Sequence, residues 1–274
     1  MGKIKFDQIG ERKYKIGCDH GVIYPQRNGA YPKGEAWNGL TNVTKSPSGA
    51  EVTKMYADNI QYFNVTSAET LGLTIECYMY PEAFEECNGE AELTEGVTIG
   101  QQSRNTFGFS YRTKVGNDTE GEDFGFELNL VYGCTASPSE QASQTINESP
   151  EPGTFSYEIN TTPVSVSGLA PNGKPYKPTA CVTIHSNTIS RENMVKLEEI
   201  LYGKDDTYGL TSDTEFTDGK DYYELVAGEY VKVTAPDGED KSFPEGAEYY
   251  EVTAKGTDGR LPFPDELKKI LAAG

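Results

Sequence analysis

The 274-residue sequence predicts a mainly β fold of the α+β class. Three observations carry that reading. Short β-type runs alternate with turn clusters through much of the chain. The strongest, Leu73–Tyr80, sets Leu73, Ile75, Cys77 and Met79 against Thr74, Glu76, Tyr78 and Tyr80, the period of a strand with one apolar face. The composition holds 18 Tyr, 29 Gly and 15 Pro, so strand-forming aromatics and turn residues are both abundant. The clearest helical period belongs to Arg191–Tyr202.

The elements follow in order. Ala36–Thr44 reads as a strand interrupted by Asn38-Gly39, then Ser46-Pro47-Ser48-Gly49 as a turn, then strands over Val52–Tyr56, Asn59–Thr66 and Leu73–Tyr80. Pro81 opens a short helical turn over Glu82–Cys87 that Asn88-Gly89 ends. Thr106–Lys114 and Phe124–Tyr132 read as a hairpin around the acidic loop Gly116–Asp123. Residues 135–152, rich in Ser, Pro, Gln and Glu, read as an exposed connection. Strands at Thr154–Val166 and Thr179–His185 complete the β part. Ser190 can cap the Arg191–Tyr202 helix, Glu192 complements its positive end, and Gly203 supplies a left-handed stop. Asp265–Ala272 forms a last short helix behind Pro264.

Residues 205–256 differ in character. They hold an evident hairpin, Tyr222–Val226 and Glu229–Val233 around Ala227-Gly228, and a strand over Ala247–Val252. Between 205 and 251 stand fourteen Asp or Glu against three Lys, so about −11 of the formal −19 is concentrated there. The domain reading is a core of residues 1–204 plus 257–274, with 205–256 grafted into a surface loop. Loop-closure entropy grows slowly enough to tolerate such a graft. Residues 1–33 are locally basic, which offers attraction between successive copies.

Chemistry is sparse in this pattern. The charge of −19 disfavours nucleic-acid backbones and anionic membranes. No apolar run approaches the ~18 residues of a membrane helix, and the opening residues lack the apolar stretch of a signal peptide. Cys18, Cys77, Cys87, Cys134 and Cys181 are scattered and read as reduced, mostly buried thiols. Cys18 and His20 lie close in sequence and His185 ends a strand, and both histidines read as structural or solvated rather than as bases serving a nucleophile. The acids at Asp205-Asp206 and over Asp237–Asp240 lack calcium-loop spacing. The expectation is a protein that is not an enzyme and needs no metal or cofactor. The aromatics Trp37, Tyr56, Tyr62 and Phe63 are the candidate contacts between subunits. A carbohydrate-binding or adhesin-type β module is the alternative, motivated by exposed tyrosines and the β-rich graft. A hydrolase built on a carboxylate pair ranks last.

A resemblance then enters on a series of motifs. They are Glu35-Ala36-Trp37-Asn38-Gly39-Leu40-Thr41, Tyr56-Ala57-Asp58-Asn59-Ile60-Gln61-Tyr62 and Cys77-Tyr78-Met79-Tyr80-Pro81-Glu82-Ala83-Phe84. Further on come Phe107-Gly108-Phe109-Ser110-Tyr111-Arg112-Thr113, Ser149–Ser156 and Thr161-Thr162-Pro163-Val164, then Leu197–Gly203 with Asp258-Gly259-Arg260-Leu261-Pro262. Together, in this order, they resemble the major tail (tail-tube) proteins of phages with long non-contractile tails that infect Gram-positive bacteria. The resemblance spans nearly the whole chain except roughly 205–256. It implies a β-sandwich or barrel core with one flanking α-helix, assembled with itself into hexameric rings stacked head to tail. It also implies a tube that encloses a tape-measure protein, meets tail terminator and distal tail proteins, and conducts phage DNA without sequence-specific binding. The setting implied is the virion, after assembly in the host cytoplasm. The family runs almost directly from helix to Asp-Gly-Arg-Leu-Pro, so 205–256 is a departure, expected on the tube exterior.

Overall fold

A computed structural model describes residues 4–143, 145, 152–236, 241–244 and 247–272. Ser149-Pro150-Glu151 of the Ser149–Ser156 motif, the Asp237–Asp240 acids and part of the connection expected over 135–152 lie outside the described residues. Among the described residues the fold is mainly β, in several antiparallel sheets with three helices. The chain divides into two compact units, Met1–Tyr202 with Gly259–Gly274, and Gly203–Asp258.

Unit 1 runs β1 (Lys13–Pro25), β2 (Glu35–Trp37), β3 (Leu40–Gly49), β4 (Val52–Ala57), β5 (Ile60–Thr66), β6 (Glu69–Cys77), α1 (Glu82–Asn88), β7 (Ala91–Thr94), β8 (Val97–Ile99), β9 (Phe107–Asn117), β10 (Gly121–Ala136), β11 (Phe155–Thr161), β12 (Cys181–His185), α2 (Arg191–Tyr202) and α3 (Pro264–Ala272). Its main sheet has the order β2-β1-β9-β10-β11-β6-β3, with β12 also paired to β10. The sheet curls on itself. Trp37 on β2 lies 6.4 Å, ring to ring, from Tyr157 on β11, and Lys45 on β3 donates to Asn129 Oδ1 on β10 at 2.6 Å.

Strand β10 explains how both faces of this sheet are used. Val131, Cys134 and Ala136 join the enclosed core with Ile23, Ile75, Phe107, Phe109 and Ile159. The alternate residues Leu128, Leu130 and Tyr132 pack outward against Met194, Leu197 and Leu201 of α2 and Leu267 of α3. A strand covered on both faces reads as a continuous apolar run, which is why Leu128–Val131 is interrupted only by Asn129. That amide accepts Thr183 Oγ1 at 3.0 Å as well as Lys45. Gly133 sits at a register shift with φ +60°, and a Cβ there would collide with the Thr162 carbonyl, so only glycine fits this bulge.

Helix α2 has the expected bounds. Ser190 Oγ accepts the Asn193 N–H at 3.3 Å, and the Tyr24 hydroxyl donates to the Leu201 carbonyl at 2.9 Å from beneath. Two of the expectations that the structure corrects have a clear local cause. The Ser46–Gly49 segment is strand, paired residue by residue from Ser46↔Gly72 to Gly49↔Glu69. Strand β3 ends the sheet order, and an edge position tolerates Pro47, which has no N–H to donate. The strand expected to reach Tyr80 stops at Cys77, because Tyr78 already bonds back to the Gly39 carbonyl at 2.9 Å.

Unit 2 contains β13 (Gly203–Lys204), β14 (Thr207–Leu210), β15 (Tyr222–Val226), β16 (Glu229–Val233), β17 (Tyr250–Ala254) and β18 (Thr257–Asp258). β14-β17-β15-β16 form a four-stranded sheet, and β13 pairs with β18. The unit has its own aromatic core of Phe216, Tyr222 and Tyr249, with Phe243 packed on them.

Candidate assembly surface

Strands β3 and β6 continue outward as the separate pair β4–β5, forming an arm. The junction is a kink: Gly49 and Ala50 have φ of +84° and +53°, and Glu51 and Ser67 exchange bonds of 3.0 Å through the Ser67 N–H and hydroxyl. Asp58 and Asn59 close the tip with φ of +50° and +61°. A two-residue hairpin with both central residues left-handed matches strand twist, and Asp and Asn adopt that conformation at little cost.

The arm has no buried residue on either face. Met55 stands opposite Phe63 and Thr53 opposite Val65, and the Tyr62 and Phe63 rings meet edge to face at 5.7 Å. Tyr56 is 68% exposed, Tyr62 64% and Phe63 52%. Val52, Met55, Ile60 and Val65 are exposed beside them. An isolated two-stranded hairpin is marginal in water, and exposed apolar strands are a template for association. The arm is thus an exposed apolar hairpin in this subunit.

Three of the four candidate contact residues fall on the arm. The fourth, Trp37, does not. It is 2% exposed, its indole N–H donates to the Met79 carbonyl at 3.2 Å, and its ring centroid lies 4.6 Å from Phe84 and 5.6 Å from Phe109. Helix α1 folds back over it, so Trp37 is a core residue and not a subunit contact. Sequence reasoning missed the apolar partners Val52, Met55, Ile60 and Val65; the Asp-Asn tip between two β-branched and aromatic runs was the available signal.

The reactive side chains elsewhere are engaged in structure. Burial raises the Cys18 thiol, and the neighbouring Asp19 charge raises it further, so it stays protonated. His20 Nδ1 lies 3.1 Å from Asp19, whose carboxylate is held by Arg112 Nε at 2.7 Å and Nη2 at 3.1 Å. Glu127 is shared by Lys15 at 2.7 Å and His185 Nδ1 at 3.3 Å. A cavity of about 560 Å³ beside α1 is lined by Glu82, Glu85, Glu90 and Glu92 with the Arg27–Glu86 ion pair. Burial and then repulsion from Glu90, Glu82 and Glu92 raise the Glu85 carboxyl. Among the described residues, no three His, Cys, Asp or Glu side chains converge as a metal site.

No protein-family model matches the chain, and no curated protein matches it. Among the described residues, no helix is long and apolar enough to cross a membrane.

Proposed function

We propose that the chain is a structural subunit that polymerises, and that the polymer is a phage tail tube. The observation that carries this reading is the arm. It is a hairpin of large apolar side chains exposed on both faces, which a solitary subunit leaves in water. The ordered motifs of the tail-tube resemblance support it. Their residues Cys77, Phe84, Phe107, Phe109 and Tyr111 converge in one core, while the Tyr56–Tyr62 motif forms the arm.

In this reading the arm of one subunit lies on another copy, six subunits close a ring, and rings stack into a tube. Strands β2 and β3 end the main sheet order and offer backbone groups for pairing between copies. Work is done by shape. The core unit keeps about −9 of the chain's −19 once unit 2's 15 Asp or Glu and 5 Lys are set apart, and repels a polyanion weakly, so DNA slides without counterion-releasing contacts. Unit 2 is carried outside the tube, because a graft of that size in the lumen would obstruct DNA. Negative-stain electron microscopy of concentrated protein should show rings or tubes. A chain that stays monomeric across concentration and salt overturns the reading.

A further inference from the structure

We propose that unit 2 carries a binding site for a neutral oligosaccharide. A cavity of about 370 Å³ in this unit is lined by Tyr223 and Val252, with Asp206, Asp221, Glu251, Lys220 and Lys255 around it. The polar groups are paired. Lys220 Nζ lies 2.7 Å from Asp213 Oδ2 and 2.5 Å from Glu251 Oε2. Lys232 Nζ lies 2.7 Å from Asp221 Oδ1, and Asp206 Oδ1 accepts the Gly256 N–H at 2.6 Å. Each carboxylate thus has one oxygen anchored and a second that can accept from a ligand, while Lys255 adds donors.

Donors and acceptors beside a tyrosine suit a ligand whose hydroxyls both give and take hydrogen bonds and whose C–H face can stack. The ligand's charge follows from the surroundings. Each cavity carboxylate already has a cation or backbone N–H, so the cavity makes no demand for a cationic ligand. The unit as a whole carries 15 Asp or Glu against 5 Lys, which repels anionic glycans.

The tyrosines extend the site beyond one sugar ring. Tyr222 points into the unit's core, so its neighbour Tyr223 stands on the opposite face of the sheet, paired with Tyr250. On that face Tyr223 meets Tyr208 edge to face at 4.9 Å, Tyr208 stacks on Tyr230 at 4.1 Å, and Tyr230 meets Tyr250 at 5.2 Å. A strip of aromatic edges and hydroxyls leading out of the cavity fits a chain of sugars. This inference does not rest on the assembly reading.

The test is affinity electrophoresis of the full chain through native gels holding amylopectin, laminarin or glycol chitin. At least one should retard it. Tyr223→Ala should weaken binding by about thirtyfold, the loss typical of truncating a central aromatic anchor. Lys255→Ala, at a side chain that has no ion-pair or hydrogen-bond partner among the described residues, should weaken it severalfold. Near-UV circular dichroism shows whether the unit 2 core survives each change. Retardation that persists in a variant with a disrupted arm separates this site from assembly. No retardation by any of the three, retardation unchanged in both variants, or binding to choline or polylysine alone overturns the proposal.

Discussion

Replacing Tyr56, Tyr62 and Phe63 together by Ser separates assembly from folding. Fully burying a large apolar side chain stabilises by about 1.5–3 kcal/mol relative to leaving it in water. Phe63 is 52% exposed, so about half of that gain, roughly 1 kcal/mol, is still to be made on association. Tyr56 and Tyr62, at 68% and 64%, retain about two-thirds each, roughly 1–2 kcal/mol. The three together amount to about 3–5 kcal/mol, or roughly two to four orders of magnitude in the association constant. The same substitutions touch no core contact, and the smaller share of each side chain already covered within the subunit should cost its unfolding about 1 kcal/mol each or less. Sedimentation velocity across a concentration series, with urea unfolding of the same samples, reads both quantities. An unchanged threshold for assembly in the triple variant refutes the role of the arm. A comparable loss in urea stability refutes the argument that these side chains are uncovered in the subunit.

Two further outcomes follow from the core and from the charges beneath α2. Trp37→Ala should cost about 3–5 kcal/mol of unfolding free energy, because the indole is fully enclosed by Phe84, Phe109 and Tyr157; a urea midpoint close to the parent's would return Trp37 to the surface. Burial pushes the Asp19 carboxyl up, but the Arg112 hydrogen bonds and charge, helped by His20, outweigh it and leave the carboxyl below its ordinary value of 3.8. Its stabilising contribution is therefore complete above the ordinary value and is lost as pH falls through the lowered one. Thermal unfolding between pH 6 and pH 2 should show that loss in the parent and a flatter acid limb in Asp19→Asn.

The legible parts of the fold are those in which local signals agree. Helix α2 has an N-cap, a core stripe and a terminal glycine, and the hairpin β15–β16 has two alternating runs around Ala227-Gly228. Strand β1 was not legible. Register shifts on either side of Asp19, with Gly17 and His20 at φ of +67° and +51°, break its alternation. The Ser-Pro-Ser-Gly run carries every mark of a turn, yet pairing with β6 overrides it, which an edge strand permits. Trp37 and Tyr62 look alike in sequence, each an aromatic beside turn residues. Only the return of α1 over one and the departure of the kinked arm from the sheet decide which is buried.

Salt dependence decides what drives association. The basic residues of 1–33 facing an acidic remainder would attract copies to one another, and added salt would then weaken assembly. The structure argues against that source. Lys15 is already paired with Glu127 and Arg27 with Glu86 inside the subunit, so part of the positive charge is spent at home. The arm, residues 51–66, holds only Glu51, Lys54 and Asp58 as charges in a chain of −19. Apolar contact at a nearly neutral arm must overcome repulsion between acidic bodies. Raising sodium chloride from 20 to 300 mM should therefore lower the concentration at which the protein assembles, as the Debye length shrinks from about 20 Å to below about 8 Å. A threshold that rises with salt would show that ion pairs between copies, and not the arm, hold the polymer together.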